Sequence, residues 1–301
     1  MILTNEIFKK LYLNLNFIFR APLLIMRTFI LSCLPILLSI FLLPFNLFSP
    51  FIFENVIIFT VAILFYSINC EWEKSTLHKN SKLLKNSKGV HHVSLYLTIL
   101  LISFLVINIF LGLIVLLSKC NFLMTTPLFG HYSEDVIFNF SYLPFGPFYF
   151  CNLWLVTIIF ILSYIFSHFL KTNKSYYMSI FILVILAFLF GGTFNNYFAH
   201  VLYYHSKGIK HFYPKYNRGI FPNWFFYPSL LFPLYSPGQM LGANMNLIKE
   251  LGGQPIYHFE SIYWYPFNVA GKWDIILIMP IISTTGLLIL SFLINSFNKI
   301  N

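Results

Sequence analysis

The stretch that decides the fold is CNLWLVTIIFILSYIFSHFLK, residues 151–171, an apolar run with Asn152 near its start and His168 near its end. Sixteen residues separate the two polar side chains. At about 1.5 Å of rise per helical residue they stand roughly 24 Å apart, most of the hydrocarbon thickness of a bilayer. The spacing predicts a membrane helix with one polar residue near each end.

Composition points the same way over the whole chain. Of 301 residues, 58% are hydrophobic and 9% are charged, and the mean hydropathy is +0.76. A water-soluble surface for a chain of this length needs far more charge. The 37 Phe residues, with abundant Asn and Lys, suggest an AT-rich coding sequence, organellar or from a small bacterial genome. Cys33, Cys70, Cys120 and Cys151 show neither CxxC nor Cys/His metal spacing, which argues against disulfide or thiolate chemistry.

Apolar runs of about 20 residues predict six spans, near 28–48, 53–70, 93–118, 150–170, 176–199 and 274–297. A seventh, 219–247, is interrupted by Pro222, Pro228, Pro233 and Pro237 and must kink. The expected fold class is therefore an all-α integral membrane protein of seven transmembrane helices. Its start, MILTNEIFKKLYLNLNFIFRAP, carries no signal-peptide cleavage pattern and reads as an amphipathic interfacial helix. The expected organisation is an amphipathic segment 1–27, two spans over 28–71, a basic loop 72–92, and a five-helix bundle over 93–301 that includes the long loop 200–218.

Basic residues set the orientation. Lys9, Lys10, Arg20 and Arg27 precede span one, Lys74, Lys79, Lys82, Lys85 and Lys88 follow span two, and Lys171 and Lys174 follow span four. All three regions fall on one side, the cytoplasmic or matrix side by the positive-inside rule. Lys207, Lys210, Lys215 and Arg218 fall on the other side, against that rule. These flanks account for most of the net charge of +10, so no nucleic-acid partner is implied.

Candidates for chemistry are few. His131, His200, His205 and His211 could meet on the outer side, but their spacing fits neither a helix face nor a metal-ligand pattern, and no metal site is expected. There is no Walker motif, GxSxG, zincin motif or Gly-rich phosphate loop. No acid lies in spans three, four or five, so the intramembrane carboxylates that mark ion pathways are not expected there.

Three stretches resemble subunit III of cytochrome c oxidase. YLPFGPFYFCN (142–152) and SHFLKTNKS (167–175) are similar to that family's fourth span, with its Pro-rich entry, its Asn, a His at the far end and a short charged turn carrying Lys174. HFESIYWYPFNVAGKWDII (258–276) is similar to the approach to the family's last span, with Phe259, Glu260, Trp264, Tyr265, Val269 and Trp273 at matching positions. Glu71, Trp72, Glu73 and Lys74 resemble the family's Trp-Arg-Asp at the end of span two, and Lys88–Gly89 its Lys-Gly before span three. The chain departs from the pattern in ILLISFLVINIF (99–110), which lacks the family's buried Glu, and in FFYPSLLFPLYSPG (225–238), which lacks its His-Gly-x-x-His run.

The resemblance implies two helices splayed from a bundle of five, with lipids in the cleft. It implies a non-catalytic structural subunit in the mitochondrial inner membrane, or a bacterial plasma membrane, that binds no cofactor itself. Haem a and copper would lie in partner subunits I and II, with accessory subunits and phospholipids as further partners. Trp72, Asn152, His168, Glu260, Trp264, Tyr265 and Trp273 would make lipid or interhelix polar contacts. Trp264, Tyr265 and Trp273 also fit an aromatic belt at the headgroup layer, and Glu260 needs a polar partner, for which His168 is a candidate.

Two other readings compete. An ABC-2 type transport permease also begins with an amphipathic helix, and EWEKSTLHKNSKLLKNSKG (71–89) resembles its coupling helix between spans two and three. An accessory subunit of another respiratory complex is the third. The oxidase and permease readings differ over 219–247, which the first threads through the membrane and the second leaves outside. With seven spans, cysteines placed at the N-terminus and beside Lys299 react with impermeant maleimide from opposite sides of the membrane; reaction from one side rules out seven.

Overall fold

A computed structural model describes residues 2–31, 50–71, 88–119, 145–170, 172–190 and 273–297, all of them helical apart from short joints. In chain order the helices are α1 (Ile2–Arg20), α2 (Pro22–Leu31), α3 (Pro50–Tyr66), α4 (Lys88–Lys119), α5 (Phe145–Phe169), α6 (Asn173–Phe190) and α7 (Trp273–Phe297). A π-helical turn, Ser67–Glu71, extends α3. The protein is an all-helical membrane protein. Gly89–Leu113 and Asn152–Phe169 are each long and apolar enough to cross a bilayer, and Asn5–Arg20 with Pro22–Leu31 makes a third if that bent pair is one span. The expected span 219–247 and all but the first residues of 28–48 lie outside the described residues.

The break between α1 and α2 has a covalent cause. Pro22 has no N–H to continue α1, and its ring would strike the carbonyl of Ile18. The chain turns by 80° instead. The freed carbonyl of Ile18 accepts the amide of Ala21 (3.1 Å), while that of Ala21 accepts the amides of Leu24 (2.9 Å) and Ile25 (3.2 Å). Pro22 is then the first residue of α2, where a missing donor is harmless.

That start differs from the interfacial helix expected over 1–27. Lys10, Asn14 and Ile18, spaced by four along one face of α1, are buried. Tyr12, Phe19 and Leu23 point outward. The Asn14 amide donates to the Thr98 hydroxyl of α4 at 3.3 Å, so α1 is docked on the bundle through a mixed face of Lys10, Asn14 and Ile18, while its exposed side carries Phe8, Tyr12 and Phe19 together with Lys9 and Arg20. Interhelix hydrogen bonds of this kind hold where water cannot compete.

The helix α3 is the hub. From Glu54 to Ile68 the described side chains are buried on every side, and α3 packs against α4, α5 and α6. Ring contacts set the registers. Phe59 meets Phe181 and Tyr66 meets Tyr176, so α3 and α6 are antiparallel. His92 meets Tyr164, Tyr96 meets Phe160 and Phe104 meets Tyr149, so α4 and α5 are antiparallel. The end of α3, the start of α4, the end of α5 and the start of α6 therefore share one end of the bundle. The flanks carrying Lys74–Lys88 and Lys174 thus leave the bundle at the same end, as the charge pattern predicts.

The helix of the expected second span, α3, packs directly against α4, α5 and α6, while most of the expected first span lies outside the described residues. The physical reason for that packing is its sequence: PFIFENVIIFTVAILFY is largely apolar on every side, and such a helix can bury every face. α4 begins at Lys88 and carries His91 and His92 in its first turns.

The join from α5 to α6 is tight. The Thr172 hydroxyl accepts the Ser175 amide (3.3 Å) and its carbonyl accepts the Tyr176 amide (3.1 Å), an N-cap that starts α6. Tyr176, fully buried, donates its hydroxyl to the Ala62 carbonyl at 3.0 Å and clamps α6 to α3. Tyr176→Phe loses that bond and lowers stability by about 1 kcal/mol. Phe65→Ala, which empties the centre of the core against Phe160, costs about 3 kcal/mol or more. Unfolding midpoints in detergent micelles check the order, Phe65→Ala well below Tyr176→Phe.

Candidate functional site

Polar side chains are densest at the two ends of the bundle, and the stretch between is largely apolar with scattered hydroxyls such as Thr60, Thr98 and Thr157. At the basic end, the Tyr66 hydroxyl donates to the Asn173 side-chain carbonyl, joining the end of α3 to the start of α6. His91 bonds Asn69 at 3.2 Å, joining α4 to the π turn, and the His92 ring stands edge-on to Tyr164. The Arg27 guanidinium lies 4.6 Å from the centre of the Tyr177 ring, a cation–π contact that brings α2 to the same place. Arg27, His91, His92 and the exposed Lys174 make this end suited to anionic headgroups.

The opposite end holds a second polar layer. Phe65 and Phe160 touch, and α3 and α5 run in the same direction. Stepping back eleven residues along each helix reaches Glu54 and Tyr149 at one level. The Tyr149 hydroxyl donates to the Asn108 side-chain carbonyl of α4 at 2.6 Å, and the Asn108 amide donates to the Phe104 carbonyl at 2.7 Å. Asn55 and Asn152, within a turn of this level, are fully buried. So is Glu54, and neither of its carboxylate oxygens has a hydrogen-bond partner among the described residues.

Between the layers the hydroxyls are handled locally. Thr98 and Thr157 donate to the carbonyls four residues back, Ser94 (2.7 Å) and Leu153 (2.9 Å), which lets polar residues sit in membrane helices. Tyr96 and Thr157 join α4 to α5 at 2.8 Å, and the Trp154 indole donates to the Thr284 hydroxyl at 3.1 Å, joining α5 to α7.

Of the residues singled out in the sequence, Asn152 and His168 lie on the one helix α5, near opposite ends. Asn152 is buried, and His168 is half-buried in the last turn with its ring edge-on to Phe169. Trp273 is the first residue of α7. Trp72, Glu260, Trp264 and Tyr265 lie outside the described residues, as do His131, His200, His205 and His211. The expected pairing of His168 with Glu260 falls there too. Among the described residues no group of three or more His, Cys, Asp or Glu is placed to hold a metal ion.

The sequence reasoning passed over Glu54, Asn55, Asn108, Tyr149, Trp154 and the His91–His92 pair. Glu54 and Asn55 carried a signal that could have found them, being the adjacent polar pair in the run of span two. Nothing in the linear sequence pairs Trp154 with Thr284 or Tyr149 with Asn108.

No known protein family matches the chain, no curated protein matches it, and neither does any solved structure.

The polar contacts between helices predict a graded response. Asn14→Ala removes the bond that docks α1 and costs about 1 kcal/mol, and Thr284→Val removes the α5–α7 bond at about 0.6 kcal/mol. Limited proteolysis in nanodiscs reads both, with the earlier cleavage near the N-terminus in Asn14→Ala and near α7 in Thr284→Val.

Proposed function

We propose that the chain is a non-catalytic structural subunit of a respiratory membrane complex, similar in role to subunit III of cytochrome c oxidase. The observation behind this reading is the order along the chain of Asn152 in the third turn of α5, His168 in its last turn and Lys174 in the first turn of α6, as in the resemblance. In this reading the chain has seven spans and sits in the mitochondrial inner membrane, or a bacterial plasma membrane. Its work is to hold lipids and brace a haem and copper core carried by subunits I and II. The basic end offers the cations Arg27 and Lys174, with the imidazoles of His91 and His92 nearby, where a phospholipid headgroup would lie. The outer faces of α4, α6 and α7, with Leu105, Ile185 and Phe292 among their exposed residues, offer apolar surface to acyl chains or neighbouring subunits. The second span packs against α4, α5 and α6, so any lipid cleft lies elsewhere than between it and those helices.

One observation favours a second reading, the ABC-2 type permease. The amphipathic helix α1 and its bend at Pro22 put a docked N-terminal helix ahead of the spans, as those permeases have. Isolation of the native complex through an affinity tag on this chain separates the two. Haem a in the absorption spectrum of the purified complex is the expected result; an ATPase partner without haem overturns the oxidase reading and supports the permease.

A further inference from the structure

We propose that Glu54 is a proton-binding site inside the membrane, a single carboxyl that takes up and releases H⁺ by way of the polar seam between α4 and α5.

Glu54 has no exposed surface, and neither carboxylate oxygen is hydrogen-bonded among the described residues. An ionised carboxylate in that state loses its hydration and gains nothing in return. Ionisable groups placed within membrane helices are costly enough to mark function. Among the described residues no side chain balances that charge, and a proton is the smallest partner that can. A basic side chain of a neighbouring protein cannot reach a residue with no exposed surface. A metal ion wants several anionic oxygens, and Glu54 is the only acid among the described residues of α3 through α6 apart from Glu71 at the far end of the π turn. A proton needs one oxygen, and binding it converts carboxylate to neutral carboxylic acid with no other reactant.

The surroundings give the proton a route. Tyr149 and Asn108 stand at the level of Glu54, bonded to each other and half-buried between α5 and α4. Buried Asn55 and Asn152 lie within a turn of that level. The Tyr149 hydroxyl, which can both accept and donate a proton, is the relay of this route toward the outer face of the bundle, and the Asn108 amide holds it in place without carrying the proton itself. On α4, residues 103–110 offer only Ser103 and Asn108 as polar groups, on α6 residues 183–190 offer none, and at this level of α5 the titratable residues are Tyr149 and Cys151. On α2, Phe29 stacks on Phe110 of α4 near the level of Asn108, and Arg27, two residues before it, is engaged with Tyr177.

Infrared difference spectroscopy on the complex in native lipid, taken between acid and alkaline buffer, reads the site. The expected result is a neutral carboxylic-acid carbonyl band that grows with acidity, shifts in deuterium oxide and is missing from Glu54→Gln. Identical difference spectra from the parent and Glu54→Gln overturn the proposal. Where Glu54→Gln does not assemble, Glu54→Asp keeps the acid and must displace the band; an unmoved band overturns it equally. Tyr149→Phe is expected to slow deuterium exchange at that band, and an unchanged rate overturns the seam as the route.

Discussion

A helix in hydrocarbon satisfies its own backbone, so what remains to be arranged is the side chains, and the arrangement here turns on α3. Every described face of it is covered. The bulky apolar residues Phe65, Ile57 and Ile63 are enclosed by α4, α5 and α6, and the one tyrosine that reaches in from α6 satisfies its hydroxyl on the Ala62 carbonyl. With α3 fixed at the centre, the other helices have defined inner faces. Their outer faces can then be apolar without cost, since lipid tails are as apolar as leucine.

Polar residues in the middle of that core are mostly hydroxyls, such as Thr98 and Thr157 bonded to their own helices, and the larger polar groups gather at its ends. At the basic end they are joined across helices: Tyr66 to Asn173, His91 to Asn69, Arg27 to Tyr177. These bonds tie four helices together where charged flanks meet the headgroup region. At the other end Tyr149 and Asn108 are joined, while Glu54 is enclosed without a partner. One end is thus built as a structural clasp. The other holds an ionisable group that packing alone does not account for.

The N-terminal segment follows the same logic. Its buried face, Lys10, Asn14 and Ile18, lies against the bundle, and its exposed side carries Phe8, Tyr12 and Phe19 beside Lys9 and Arg20. Pro22 forces the turn that lets α2 fold back and bring Arg27 to Tyr177.

By itself the sequence determined the class and much of the layout. Long apolar runs can only be helices in a membrane, because no other open structure satisfies the backbone there, and the starts of α3 to α7 fall within about five residues of those runs. The shared side of the basic flanks was legible for the same kind of reason, since charge cannot be left in hydrocarbon. Only the tertiary structure decided which helix lies at the centre. The runs over 53–70, 93–118 and 150–170 are all apolar, and without water on one side no amphipathic stripe marks the inner face. For that reason the sequence could not say that Glu54 is enclosed while Lys174, also beside an apolar run, is exposed. Nor could it say that Lys10, Asn14 and Ile18 form the face of α1 that meets the bundle, because periodicity reveals that a helix has two faces and not which of them meets the protein.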